Sequence, residues 1–373
     1  TFPQLYSPQG LLPAIAGEFD LTAGASSWAI GAATIGVAIG ALPWARLSDR
    51  IGRVGAMRWA ALAAVVVVTT LPFAPDFGSM IAIRLLEGFA LAGIPAIAVT
   101  ALAETIAPRA LGAAVGTYIA GTTIGGLLGR ILAAETAEAL GWRGGLLTVA
   151  GFAAVVTVAF AILLPPTAVR PGPGLPVLGA LLANLRNPGV MVTVAQAFLL
   201  MGGFVAAYNY LAFRLQEPPF GLTLAQVSWI FLAYLAGALS SRWAWRLVPR
   251  LPPTGAMLGC IGVMLAGLGL TLLNSLVPVL AGLILFTAGF FGAHAIANGL
   301  AARRATAGRS MAPPLYNLGY YAGSSLLGWA GGLAFAAAGW YGTAAMIAVA
   351  AVVAGAAAWG YAARRGGLRA ADG

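Results

Sequence analysis

The sequence has no lysine, one cysteine, one histidine and only ten acidic residues in 373. Charged residues make up 8% of it, against roughly 25% in ordinary soluble domains. That leaves too little charge to cover a water-facing surface, and a soluble globular protein is excluded. Cys260 cannot close an internal disulfide, and one cysteine with one histidine cannot supply a zinc or iron–sulfur ligand set, so no cofactor and no metal are expected. Neither H-E-x-x-H nor G-x-S-x-G occurs, and nothing points to an enzyme. What the chain does contain is 60% hydrophobic residues and 51 glycines, the composition of helices packed closely in lipid. At about 20 apolar residues per span it accommodates eleven or twelve membrane helices and no soluble domain.

Apolar runs between Arg, Pro and acidic punctuation predict an all-α membrane protein. The helices lie near 1–17, 26–47, 56–73, 79–104, 111–134 and 145–164, then near 189–213, 225–247, 255–273, 277–301, 311–337 and 341–363. The first is too short to span and contains Pro3, Pro8 and Pro13; the expectation is an incomplete helix lacking about ten to fifteen initial residues. It does not read as a signal peptide, because no basic segment precedes it and no small-residue cleavage site follows. The Pro-rich stretch 165–188 is the longest connection. It divides the chain into an N-terminal six-helix bundle at 1–164, a linker, a C-terminal six-helix bundle at 189–363 and a tail at 364–373.

All the basic residues are arginines, and the formal net charge is +10. Sixteen of the twenty, among them Arg46, Arg50, Arg58, Arg186, Arg303 and Arg364, fall on one side of the predicted helices. The positive-inside rule makes that side cytoplasmic, together with the linker and both termini. The same rule accounts for the basic balance without a polyanion, so nucleic acid is not an expected partner. The two halves repeat each other. Gly40-Ala41-Leu42 recurs as Gly237-Ala238-Leu239, Arg53 falls on Arg250, Tyr118, Gly121 and Gly125 fall on Tyr316, Gly319 and Gly323, and Gly141-Trp142 falls on Gly339-Trp340. An even number of helices per half makes these parallel repeats, related by an axis along the membrane normal.

Three groups of residues carry chemistry. After the second helix, Asp49 can accept hydrogen bonds from a helix N-terminus or from an arginine across the bundle such as Arg109, while Gly52 permits a tight turn. Asp49, Arg50, Gly52, Arg53 and Arg109 are therefore the candidate cytoplasmic gate; the plain alternative is an ordinary basic loop. In the fourth helix Arg84 and Glu87 lie three apart on one face. Ionisable groups inside a span are expensive unless paired or hydrated, which makes the two candidates for proton coupling, against the alternative of a structural ion pair. His294, mid-way along the tenth helix, is a third candidate because an ordinary imidazole titrates near pH 6.5. Tyr208, Asn209, Tyr316, Asn317 and Tyr320 place aromatic and amide groups at helical spacing. With Tyr118, Arg130, Gln196 and Asn298 they form the candidate substrate cavity; some of them simply pack or anchor at interfaces.

The run Ala45-Arg46-Leu47-Ser48-Asp49-Arg50-Ile51-Gly52-Arg53 resembles the signature G-x-L-x-D-R-x-G-R of the major facilitator superfamily, with Ala45 in place of the first glycine. Arg84-Leu85-Leu86-Glu87-Gly88 is similar to its R-x-x-x-G motif, whose arginine is tied to proton transfer. Gly121-Thr122-Thr123-Ile124-Gly125-Gly126 resembles its antiporter motif G-P-x-x-G-G, with Thr122 in place of proline. Phe290-Phe291-Gly292-Ala293-His294 and Tyr320-Tyr321-Ala322-Gly323-Ser324-Ser325 are similar to the bacterial YnfM-type branch. The resemblance covers nearly the whole chain. It implies twelve helices in two bundles, a central cavity, alternating access and proton-driven export at a bacterial inner membrane, and a monomer is expected. It implies little about substrate, since the fold hosts many. The leading expectation is efflux of small amphipathic compounds. A second is carriage of a polar organic solute or anion, because Arg84, Arg130 and His294 outnumber Glu87, and a third is a non-transporting membrane sensor.

Overall fold

In lipid a backbone must satisfy its own amides and carbonyls, so apolar runs of span length fold as helices. The computed structural model describes residues 1–164, 177–247, 251–308 and 311–368, and every regular element among them is helical. Arg250 of the repeat falls outside the described residues, as does the side chain of Arg109. In chain order the elements begin with α1 (Phe2–Tyr6), a 3-10 turn (Ser7–Leu11), α2 (Leu12–Glu18), α3 (Ala23–Ser26), α4 (Trp28–Ile51), α5 (Arg53–Thr70), α6 (Phe77–Leu91), α7 (Pro95–Thr105) and α8 (Pro108–Leu163). There follow α9 (Val177–Leu185), α10 (Pro188–Gln216), α11 (Leu224–Ser228), a 3-10 turn (Trp229–Leu232), α12 (Ala233–Leu247), α13 (Pro253–Leu270), α14 (Leu276–Arg304) and α15 (Ala312–Arg364). The chain divides into two units, Thr1–Pro173 with Thr223–Phe231, and Gly174–Leu222 with Leu232–Gly373.

Among the described residues nine helical runs are long and apolar enough to cross a membrane. Two of them, Ala114–Leu163 and Ala312–Arg364, have 50 and 53 residues, enough for two spans each at about 20 residues per span. Each breaks at the glycine that the internal repeat aligns, Gly141 with φ +69° and Gly339 with φ +56°. A side chain is disfavoured at such angles, and the glycine lets the chain reverse without a loop. The connection expected at 135–144 is therefore absent, and the nine runs hold eleven span-length segments. Helix 79–104 is likewise not continuous. It stops at Leu91 and restarts at Pro95, where a ring without an N–H cannot continue the hydrogen-bond ladder. The linker, expected as a plain connection, contains α9.

Glycine sets how closely the helices approach. In the first unit α4 lies on α6 at Gly36, Gly40 and Gly88, where an added methyl would overlap the carbonyls of Leu85, Phe89 and Ala33 in turn. In the second, α15 lies on α10 at Gly319 and Gly323, against the carbonyls of Val194 and Phe198. Gly125, the repeat mate of Gly323, faces Pro3 of α1, a contact within the unit. The ends are tied by arginines that collect carbonyls left over at helix termini. Arg143 binds the carbonyl of Pro72 at 2.9 Å and pairs with Glu18, and Arg214 binds the carbonyl of Leu273 at 2.9 Å and that of Thr271. Asp76 caps α6, accepting from the Ser79 amide and hydroxyl, both at 2.8 Å, and these bonds hold its carboxyl below the ordinary range.

Candidate functional site

The buried ion pair of the first unit starts from prolines. Pro8 and Pro13 lack an N–H, so the carbonyls of Gln4 and Gln9 lose the donors that a continuous helix would supply, and Ser7–Leu11 tightens into a 3-10 turn. Arg84 on α6 takes up the slack. Its Nη1 donates to the Gln4 carbonyl at 3.3 Å, its Nη2 to the Leu5 carbonyl, and its Nε to the Ala29 carbonyl of α4 at 2.6 Å. Nη1 also meets Glu87 Oε2 at 2.6 Å, and both side chains are 0% exposed. The other carboxylate oxygen, Glu87 Oε1, has no hydrogen-bond partner among the described residues, and neither has Gln4 Nε2. A guanidinium and a carboxylate out of water stay charged only by holding each other.

Arg130 of α8 is buried beside this pair's supporting turn. Its Nε donates to Gln9 Oε1 at 2.8 Å and its Nη1 to the Gly126 carbonyl at 2.8 Å. The guanidinium lies between the rings of Tyr6 at 4.6 Å and Phe231 at 4.9 Å, a cation–π arrangement that gains strength when desolvated. Glu138 accepts the amide of Ala225 at 3.1 Å, at the start of α11.

In the second unit the candidates fall into three sets. Tyr208 is fully buried and shares a hydrogen bond with Thr287 at 2.7 Å, while the adjacent Phe204 stacks on Phe290 with centroids 4.0 Å apart. His294 is half-buried; its Nδ1 shares a hydrogen bond with the Tyr316 hydroxyl at 2.8 Å, and Tyr320 lies 5.1 Å from its ring. Asn298 and Asn317 are exposed, while Asn209 is buried. Gln196 is spent on packing, donating to the Ala354 carbonyl of α15 at 2.6 Å. Tyr118 of the first unit packs against the cluster of Val54, Met57 and Ile97.

At the arginine-rich end of the first unit Gly52 joins α4 to α5 with φ +86°. Asp49 takes Arg53 Nη1 at 2.6 Å, and the same arginine reaches Ser48 Oγ at 2.6 Å and Glu104 of α7 at 3.1 Å. Among the described residues Asp49 bonds an arginine four residues on, because the Gly52 turn brings Arg53 back over the end of α4; the side chain of Arg109, the arginine expected across the bundle, lies outside them. Arg50 is exposed.

The sequence profile of the Major Facilitator Superfamily matches residues 4–312. The chain belongs to the major facilitator superfamily. Within this superfamily it is similar to the MFS-type transporter YybF of Bacillus subtilis, 36% identical over 350 residues that cover 93% of this chain and 87% of YybF. It is equally similar to the inner membrane transport protein YnfM of Escherichia coli, 36% identical over 364 residues, 95% of this chain and 86% of YnfM. A solved structure, that of the bacterial homologue of the human lysosomal transporter Spinster in an inward-facing, unoccupied conformation, superimposes with a TM-score of 0.75 at 15% identity, covering 96% of this chain and 93% of the other. The nucleoside transporter NupG does so with the same score and identity, covering 96% of both. The protein is a multi-pass membrane transporter of this superfamily and not an enzyme.

The superfamily motifs lead to Arg84, Glu87 and Asp49 but miss Gln4, Tyr6, Gln9 and Thr287, which complete the two buried clusters. For the first three the signal is local: two glutamines and a tyrosine in a short, proline-broken apolar helix, where polar groups need partners. Thr287 gives no such signal, since a threonine inside a span commonly bonds its own backbone.

Proposed function

We propose that the protein is a proton-coupled exporter of small amphipathic compounds working by alternating access, with Glu87 as the proton carrier and Arg84 as the group that sets its proton affinity. The observation that supports this reading is the fully buried Arg84–Glu87 contact with one carboxylate oxygen left unused. Burial favours the neutral acid and a touching guanidinium favours the carboxylate; a conformational step that lengthens the contact therefore hands the proton from one side of the balance to the other. His294, bonded to Tyr316 on the neighbouring helix, is the second candidate carrier. The arginine-rich ends face the cytoplasm in this reading, with both termini there, and the carrier acts as a monomer. Tyr208, Asn209, Tyr316, Asn317 and Tyr320 face the cargo in some state of the cycle.

The test is flux driven by a pH gradient in proteoliposomes, beside exchange without a gradient. Glu87→Gln is expected to lose gradient-driven flux while keeping exchange, and His294→Ala to weaken it. Normal driven flux in both would leave Arg84 and Glu87 a structural pair. Carriage of a polar organic solute or anion is the second reading, favoured among the described residues by two buried arginines against one buried carboxylate in the first unit; exchange that accepts only polar or anionic compounds would select it.

For the gate, Asp49→Asn removes one of the two carboxylates, Asp49 and Glu104, that hold Arg53. Slower transport with unchanged folding is expected, together with a shift of the population toward the inward-open state. Unchanged flux in a well-folded variant would remove Asp49 from the gate.

A further inference from the structure

We infer, resting on the reading of Glu87 as the proton carrier, that Gln4 is a positioning residue for it. The Gln4 side-chain amide holds the second oxygen of that carboxylate through one buried water. Gln4 Nε2 and Glu87 Oε1 have no hydrogen-bond partner among the described residues, and the two residues are 2% and 0% exposed. One atom is a donor and the other an acceptor. Buried polar groups nearly always find a partner, in protein or in ordered water.

The two residues meet on one nitrogen. Arg84 Nη1 donates to the Gln4 carbonyl at 3.3 Å and to Glu87 Oε2 at 2.6 Å. Ser7 Oγ donates to the same Gln4 carbonyl at 3.1 Å, which is open to both because Pro8 has no N–H to offer it. The backbone of Gln4 is thereby fixed at the ion pair. The charges that face Glu87 are the Arg84 guanidinium on its own helix and the Thr1 amino group at the start of α1, and neither bonds Oε1. Against this turn of α6, α4 brings the carbonyls of Ala29 and Ala33, which have no proton to give.

Water has the chemistry that both atoms need. It accepts from an amide and donates to a carboxylate, and two hydrogen bonds of about 2.8 Å let it span roughly 5–6 Å. Two such bonds lie within the ordinary range for a buried water. A hydrogen bond made to the ionised carboxylate weighs on the same balance as the Arg84 contact. Glutamine has no charge and does not titrate, so Gln4 acts on Glu87 without competing for its proton.

The experiment compares Gln4→Met, which keeps the length of the side chain and loses the donor, with Gln4→Asn, which keeps the amide one methylene shorter. In proteoliposomes Gln4→Met is expected to lower flux driven by a pH gradient about two- to tenfold, the effect of one hydrogen bond, with gradient-free exchange little changed and Gln4→Asn recovering most of the loss. Infrared spectra of the same samples read the bridge directly. Subtracting Glu87→Gln from its parent isolates the bands of this carboxyl, neutral or ionised. In the Gln4→Met background those bands should be displaced, a neutral carbonyl to higher wavenumber, as when a hydrogen bond is lost. Heavy-oxygen water should shift one O–H stretch that is present in the wild type and missing from both Gln4→Met and Glu87→Gln. Carboxyl bands that stay in place, or survival of that stretch in Gln4→Met, would overturn the proposal. So would an equal loss of driven flux and exchange, the mark of a packing role. Normal driven flux in Glu87→Gln would overturn the carrier reading alone, since the bands and the stretch test the bridge without reference to transport.

Discussion

Arg84→Leu alone is expected to destabilise the protein by about 3–5 kcal/mol, the usual cost of leaving a buried charge without its partner. Arg84→Leu with Glu87→Leu is expected to recover most of that. The single change strands a carboxylate that is 0% exposed and has no other hydrogen-bond partner among the described residues. It also removes the donor that gathers the Leu5, Gln4 and Ala29 carbonyls. Adding Glu87→Leu removes the stranded charge, and apolar side chains fill the space. Recovery stays incomplete because the carbonyls of α1 lose a donor, an effect of about 1–3 kcal/mol for a buried acceptor. Unfolding of all four members of the double-mutant cycle in detergent measures the coupling. A single mutant within about 1 kcal/mol of wild type would mean that Glu87 takes up a proton once Arg84 is gone, or that water reaches the pair, and that no stranded charge is left. The double variant, however stable, has no titratable group on α6 and should show no gradient-driven flux. Stability and coupling are thus separable at this site.

Gly88→Ala and Gly323→Ala are expected to behave alike and severely, with each losing at least 1–3 kcal/mol by overpacking. The added methyl overlaps a backbone carbonyl, that of Ala33 at Gly88 and that of Phe198 at Gly323. Backbone cannot move aside as the end of a flexible side chain can, so α4 must leave α6 and α10 must leave α15. In lipid such contacts are held by van der Waals packing rather than by a hydrophobic drive, and separation forfeits them directly. Gly121→Ala is the control. It belongs to the run that resembles the antiporter motif, yet a methyl there meets nothing within 4 Å, and alanine favours the helix by about 1 kcal/mol over glycine. Thermal midpoints should fall for Gly88 and Gly323 and stay level or rise for Gly121. A fall at Gly121 to match the others would show that its open face is closed in another conformation.

The class of the protein is legible in composition alone. With 8% charged residues and 60% hydrophobic only a membrane protein is possible, because water cannot solvate such a surface. The repeat of Gly141-Trp142 at Gly339-Trp340 marks the two places where a paired span reverses, and both are left-handed glycines in the structure. Arg84 and Glu87 are visible as costly charges three apart on one helix. Such information survives in sequence because it is local, resting on spacing, backbone conformation and the transfer cost of single groups. Tertiary structure decided what each polar group meets. That Arg130 sits between Tyr6 and Phe231 and bonds Gln9, and that Gln196 is used on Ala354, depends on helices distant in sequence. Gln196 ends on a backbone carbonyl, as Arg84 does on those of Leu5, Gln4 and Ala29, and the availability of such acceptors follows from where prolines and helix ends happen to fall, which leaves no side-chain signature to read.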